Sequence, residues 1–297
     1  MRTTGTRLRR LAVLAGALLL AGPLVAGCGA TGRATADGRP TVVAAFYPLQ
    51  FVAQRIAGDH ARVTDLTHPG QEPHDLELTV RQTAELSDAD VVVYERGFQA
   101  ALDQAVDMRG HAHVVDATVS GRVRADDPHF WLDPTRLSAV AGAVEKELAA
   151  TDPRHARAYA RNLGVLQRQL ARLDASFRSG LAHCRITTIV VSHDAFGYLG
   201  RRYGLRVLGV NGFSPDAEPS PAHLRQLQDS VRRAHLRAVF SEPLASRSLT
   251  GSLASDLHVR AEVLDPVEGL SDATAGQDYL SLMRRNLRTL QEANQCS

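Results

Sequence analysis

Residues 152–181 read DPRHARAYARNLGVLQRQLARLDASFRSGL. Apolar side chains recur there at Tyr159, Leu163, Leu166, Leu170, Leu173, Phe177 and Leu181, at intervals of four, three, four, three, four and four. Such intervals place them on one stripe of an α-helix. Asp152-Pro153 is an opening signal, an N-cap residue with proline at the first helical position, and Asp133-Pro134 opens a preceding helix in the same way. A helix of about 30 residues spans about 45 Å. That is long enough to run across two neighbouring lobes, and one stiff helix restricts the hinge motion that several crossovers would permit. A coiled-coil partner is the competing reading of the stripe, but flanking lobes offer apolar faces for it to cover.

On either side the pattern changes. Short β-branched runs at 41–46, 61–66, 90–95 and 112–116 precede the helical stretch, and runs at 187–192, 206–211, 237–241 and 259–264 follow it. Segments with helical spacing separate most of them, such as 79–86 and 220–234. Strand–helix alternation predicts an α/β fold with mostly parallel sheets covered by helices. Four strands on each side predict two lobes, 41–133 and 183–297, each a four-stranded sheet flanked by helices, joined through residues 134–182 by one long rigid helix.

The start of the chain belongs to processing rather than to the fold. Arg2, Arg7, Arg9 and Arg10 form a basic head, and an apolar run of 16 residues follows at 11–26. That run is short of the roughly 20 residues a membrane span needs. It ends in Val25-Ala26-Gly27-Cys28, which resembles a bacterial lipobox. Residues 1–27 are therefore expected to be a signal peptide, Cys28 the lipidated first mature residue and 28–40 a flexible tether. A plain secretory signal with an incidental cysteine is the alternative. Two acyl signals suffice for stable anchoring at a membrane surface. The expected location is the outer face of the cell membrane.

Removing the leader changes the meaning of the charge. The chain has 34 basic and 32 acidic residues, and the first 27 carry four arginines and no acid, so 30 basic residues remain against 32 acidic ones. No basic footprint for nucleic acid is left. Lys146 is the only lysine, so the arginine content reads as compositional bias rather than phosphate recognition. Cys184 and Cys296 remain once Cys28 is set aside. An oxidising compartment permits a structural bridge between them. Two free thiols stay open as the alternative, since sequence does not show their Cα separation.

Twelve histidines are present, and most sit in solvated contexts. His60, His155, His223, His235 and His258 stand beside charged or turn residues, and His183 stands beside Cys184. Three differ. His74 lies in Pro73-His74-Asp75 after the second strand, His129 in Asp127-Pro128-His129-Phe130-Trp131 after the fourth, and His193 in Ser192-His193-Asp194 at the exit of the fifth. Asp265, in Leu264-Asp265-Pro266, occupies the exit of the last. Ligands of open α/β sheets bind outside the carboxyl ends of the strands, so two facing lobes would place all four around one cleft. Neutral imidazoles with one carboxylate suit zinc in tetrahedral geometry. Calcium and magnesium favour all-oxygen shells, and manganese would fit better if a carboxylate replaced one imidazole. Asp75, Asp133 and Asp194 stand ready either to accept a ligand's second ring N–H or to cap helices.

The segments Pro73-His74-Asp75-Leu76-Glu77-Leu78-Thr79, Asp127-Pro128-His129-Phe130-Trp131-Leu132-Asp133-Pro134, Ser192-His193-Asp194-Ala195-Phe196-Gly197-Tyr198-Leu199, Ala217-Glu218-Pro219-Ser220 and Leu264-Asp265-Pro266 resemble the solute-binding proteins of zinc and manganese ABC importers. The likeness runs from about residue 41 to the C-terminus. It implies two lobes joined by a long helix, one metal ion between them as transported ligand, and a membrane permease as partner. Carried over by motif, the ligands are His74, His129, His193 and Asp265. Histidine at the third position resembles the zinc branch and makes Mn2+ the alternative ion. The resemblance also favours a Cys184–Cys296 bridge. A monomer is expected. Many zinc members carry a long His- and acid-rich loop before the second motif. Residues 108–127 hold only His111 and His113, so the resemblance does not extend to auxiliary capture there; the two are candidates for a second ion. His68 could assist recruitment.

A zinc hydrolase is the rival from another class. Three histidines with an open position would suit it, with Glu72 or Glu242 as base. The sequence holds no His-Glu-x-x-His helix, and four candidate protein ligands favour capture and transfer over catalysis.

Overall fold

The computed structural model describes residues 38–110, 113–215, 217–244 and 248–297. The expected leader, the Cys28 lipidation site and His111 lie outside the described residues.

The first sheet holds β1 (Thr41–Ala44), β2 (Arg62–Asp65), β3 (Val91–Tyr94) and β4 (Val114–Asp116) in the order β2-β1-β3-β4. The second holds β5 (Thr188–Val191), β6 (Arg206–Gly209), β7 (Ala238–Ser241) and β8 (Arg260–Val263) in the order β6-β5-β7-β8. Every pairing is parallel. The inner strands are the apolar ones: β3 reads VVVY and β5 reads TIVV, and both are almost wholly buried. Edge strands β2 and β8 begin with exposed arginines. Parallel sheets covered on both faces require that distribution.

Helices α1 (Tyr47–Ala57), α2 (Val80–Ser87), α3 (Ala100–Arg109) and the short α4 (Ala117–Ser120) belong to the first lobe. Helices α5 (Pro134–Thr151) and α6 (Ala156–Gly180) follow it. Helices α7 (Gly197–Tyr203), α8 (Pro221–Arg233), α9 (Ser248–Leu257) and α10 (Tyr279–Asn294) complete the second half. The long helix is present as α6, and Tyr159, Leu166, Leu170, Leu173 and Phe177 of the predicted stripe are buried. At 25 residues it is shorter than expected, because the segment Pro153–His155 forms a 3-10 turn before it. Asp133 caps α5 as anticipated, accepting the Thr135 N–H at 2.9 Å. Asp152 does not cap a backbone N–H in this way. Its carboxylate instead accepts the Tyr159 hydroxyl at 3.1 Å and pairs with the His155 ring.

One apolar core runs from the first lobe through α5 and α6 to the second, including Phe46, Trp131, Leu166, Phe177, Phe196 and Tyr279. A smaller core, with Val190, Val239, Leu227 and Leu253, lies on the other face of the second sheet. The disulfide Cys184–Cys296 joins the start of the second lobe to the end of the chain across 112 residues. Gly180 accepts the Gln291 amide at 3.3 Å through its carbonyl, and a Cβ there would crowd that side chain. Helix α10 is thereby held against the end of α6.

Candidate metal centre

The strand exits of both sheets meet in the seam between the lobes. His74 sits in the loop after β2, His129 in the turn before α5, and His193 directly after β5. One ligand atom from each, with one from Glu268, lie within 4.8 Å of one another. No other such group of three or more His, Cys, Asp or Glu occurs among the described residues. The His129 and His193 side chains are fully buried, Glu268 is 1% exposed and His74 is 12% exposed.

The separations define the chemistry. Glu268 Oε1 lies 3.1 Å from His129 Nε2, 3.3 Å from His193 Nε2 and 3.7 Å from His74 Nε2. The Nε2 atoms of His129 and His193 are 3.3 Å apart. A tetrahedron of ligands about 2.0–2.1 Å from zinc has edges of about 3.3–3.4 Å. Neither Glu268 Oε1 nor His74 Nε2 makes a hydrogen bond, although both are buried. Buried polar atoms without partners cost about 1–3 kcal/mol each. A cation at their common centre would remove that penalty, so the residues present fit a zinc ion.

Two imidazoles are held from behind by carboxylates. Asp127 Oδ1 lies 3.1 Å from His129 Nδ1 and also accepts the His129 backbone N–H at 3.1 Å. Glu242 Oε1 lies 2.6 Å from His193 Nδ1 and accepts the His193 backbone N–H at 3.2 Å and the Ser192 hydroxyl. A carboxylate facing Nδ1 holds a proton there, so the neutral ring presents the Nε2 lone pair to the centre. His74 is braced differently. Its ring packs edge-on against Phe98 with centroids 4.6 Å apart, while neighbouring Asp75 is exposed. Burial opposes charge on His193, but Glu242 and Glu268 outweigh it and push the imidazole up to about 10. Burial likewise opposes ionisation of Glu268, yet the three imidazoles hold it well below the usual carboxylate range.

The structure brings His74, His129 and His193 together and places Asp265 outside their group. Asp265 Oδ1 accepts the Val267 N–H at 2.8 Å, and Oδ2 accepts from Arg285 at 3.0 Å. The carboxylate that completes the cluster is Glu268, three residues further on. Between them Val267 adopts φ 58°, a left-handed conformation rare for a β-branched residue. That turn carries the chain into the seam. Sequence reasoning passed over Glu268, although it stands beside the Asp265-Pro266 motif.

The other candidates are placed as follows. Asp133 caps α5 and lies 3.2 Å from Arg202. Asp194 lies in the turn after His193, where burial raises its carboxyl pKa. His113 pairs with Glu147 at 3.1 Å, and His68 is exposed. Burial and the nearby Glu268 push Glu72 up to about 8.

Two parallel-sheet lobes bridged by one long helix, with four buried donors in the seam, define a two-lobed metal-binding protein. The chain belongs to the family described as zinc-uptake complex component A, periplasmic, which matches residues 42–293. The zinc-binding lipoprotein AdcA of Streptococcus pneumoniae is 30% identical over 281 residues, covering 86% of this chain and 56% of its own length. This chain thus spans about half the length of that relative. The high-affinity zinc uptake system protein ZnuA of Bacillus subtilis is 29% identical, covering 91% of this chain and 93% of its own. The Zn(II)-bound ZnuA-like domain of S. pneumoniae AdcA superposes with a TM-score of 0.76 at 31% identity, over 86% of this chain and 99% of that one.

Proposed function

We propose that this chain is the extracytoplasmic solute-binding component of a metal ABC importer. It captures Zn2+ between its lobes with His74, His129, His193 and Glu268, and delivers the ion to a membrane permease. The observation that carries this reading is the convergence of four donor atoms within 4.8 Å of one another, with Glu268 Oε1 at 3.1–3.7 Å from the three imidazole nitrogens. Once their protons are gone, lone pairs that converge so closely are held together by a cation among them. Asp127 and Glu242 fix the tautomers and add negative charge behind the site, offsetting the +1 left by Zn2+ and one carboxylate. The names of the relatives support zinc as cargo. The lipoprotein name of one relative supports an anchor on Cys28 that holds the chain at the outer face of the membrane.

Four protein donors favour capture over hydrolysis, which needs an open coordination position. Glu242, a candidate base for a hydrolase, is engaged by His193 and Ser192. Competitive titration with Zn2+ and Mn2+ tests the ion. Tight zinc binding with manganese weaker by at least about 100-fold is expected for three imidazoles against one carboxylate. Comparable affinities would overturn zinc selectivity, and no binding of either would overturn the whole reading.

A further inference from the structure

His129 is a ligand carried by the first lobe, yet part of its support comes from the second. Asp127 is 2% exposed and divides its two oxygens. Oδ1 holds the ring and backbone of His129. Oδ2 accepts from Arg201 of α7, in the second lobe, at 2.9 Å. Three more contacts accompany that one. The Tyr198 hydroxyl of α7 accepts the Arg124 backbone N–H at 2.6 Å. Phe213, also in the second lobe, lies roughly parallel to the His129 ring, with centroids 6.4 Å apart. Gly197 begins α7 at the point where a Cβ would collide with Asp127 Oδ2 and crowd Arg201. The close approach therefore depends on a missing side chain.

Resting on the function proposed above, we infer that Asp127 is the positioning residue that couples lobe closure to metal retention, with Arg201 as its latch in the opposite lobe. While the lobes are together, Arg201 fixes Asp127 and Asp127 fixes the His129 ring. Separation of the lobes withdraws Arg201 and Phe213 in one movement, and His129 then becomes free to turn away from the ion. Release thus begins at His129. His193 keeps its own partner, Glu242, within the second lobe.

The test is the dissociation rate of Zn2+ from the whole chain, followed by transfer to a strong chelator. Arg201 is about half exposed, its side chain at 47%, so replacing it leaves the core intact. Arg201→Gln is expected to speed zinc loss by about tenfold, within the range for losing an outer-shell partner. The association rate should change by less than about twofold, since affinity changes fall mainly on dissociation. Arg201→Lys should restore most of the retention, because a lysine ammonium supplies one donor to Oδ2. Asp127→Asn combined with Arg201→Gln should dissociate no faster than Asp127→Asn alone. The visible spectrum of the Co2+-loaded Arg201→Gln protein should differ from that of the unsubstituted protein, reporting a displaced ligand. Unchanged dissociation in Arg201→Gln overturns the latch, as does an additive double variant. So does a loss of metal-free stability that Arg201→Lys fails to repair. Failure of the unsubstituted chain to bind zinc would instead overturn the underlying function.

Discussion

The two lobes repeat one strand order but brace their metal donors differently. In the second, His193 leaves the central strand β5 directly and rests on Glu242 at the end of neighbouring β7. In the first, His129 rests on Asp127, only two residues away, and Asp127 leans in turn on the second lobe. His74 rests on neither: it lies in a loop, packs on an aromatic ring and is the most exposed of the four donors. Shared topology thus brings donors to one place without holding them equally. Bracing by a buried carboxylate, rather than proximity alone, sets how firmly each imidazole points.

The largest effect that would break this comparison is a difference between two ligand deletions. His193→Ala is expected to weaken zinc binding by more than about 100-fold, beyond what loss of an outer partner costs. His74→Ala should weaken it by about tenfold less than His193→Ala does, because a braced donor contributes more. Equal losses in calorimetric titrations would abolish the distinction between the two.

Proton competition sharpens the comparison. His193, held at about 10 in the metal-free cleft, must lose a proton when zinc enters at neutral pH. Zinc affinity should then rise by at least about tenfold per pH unit between about pH 7 and 9, since His193 alone releases one proton per ion. An affinity flat across that window would contradict the bracing of His193 by Glu242. The raised pKa also stabilises the metal-free fold: its contribution is complete below about 6.5 and is lost as pH rises through about 10. The increment in melting temperature on adding zinc should grow over the same range.

The smallest effect on binding belongs to the disulfide, which closes a long loop within the second half. Cys184→Ser with Cys296→Ser should cost about 2–5 kcal/mol of stability. Zinc affinity should stay within about twofold, because the bridge lies in the scaffold rather than among the donors. A large loss of affinity would show that the end of the chain shapes the seam.

Much of this was legible from local pattern. The stripe from Tyr159 to Phe177 marked the long helix, because a 3.6-residue period survives any tertiary context that buries one face. The β-branched runs at β3 and β5 marked strands, while their inner places came from the sheet order. The carboxylates behind the imidazoles were less legible. Asp75 and Asp194 adjoin their histidines and Asp133 lies four residues from His129, but Asp127, two residues before it, and Glu242 do the bracing. Glu242 lies 49 residues from its histidine, a separation that only strand pairing brings to contact distance.

The sequence by itself determined the alternation of strands and helices, the stiff connection and the three histidines at strand exits. Each of these follows from short-range periodicity and from the rule that parallel strands present their carboxyl ends to one side. The tertiary structure alone brought Glu268, rather than Asp265, beside the three histidines. That choice depends on Arg285 and the Val267 N–H occupying one carboxylate, and on a valine backbone turned to φ 58° that swings the other into the seam. Propensity disfavours such a turn at a β-branched residue, so only the surrounding packing holds it.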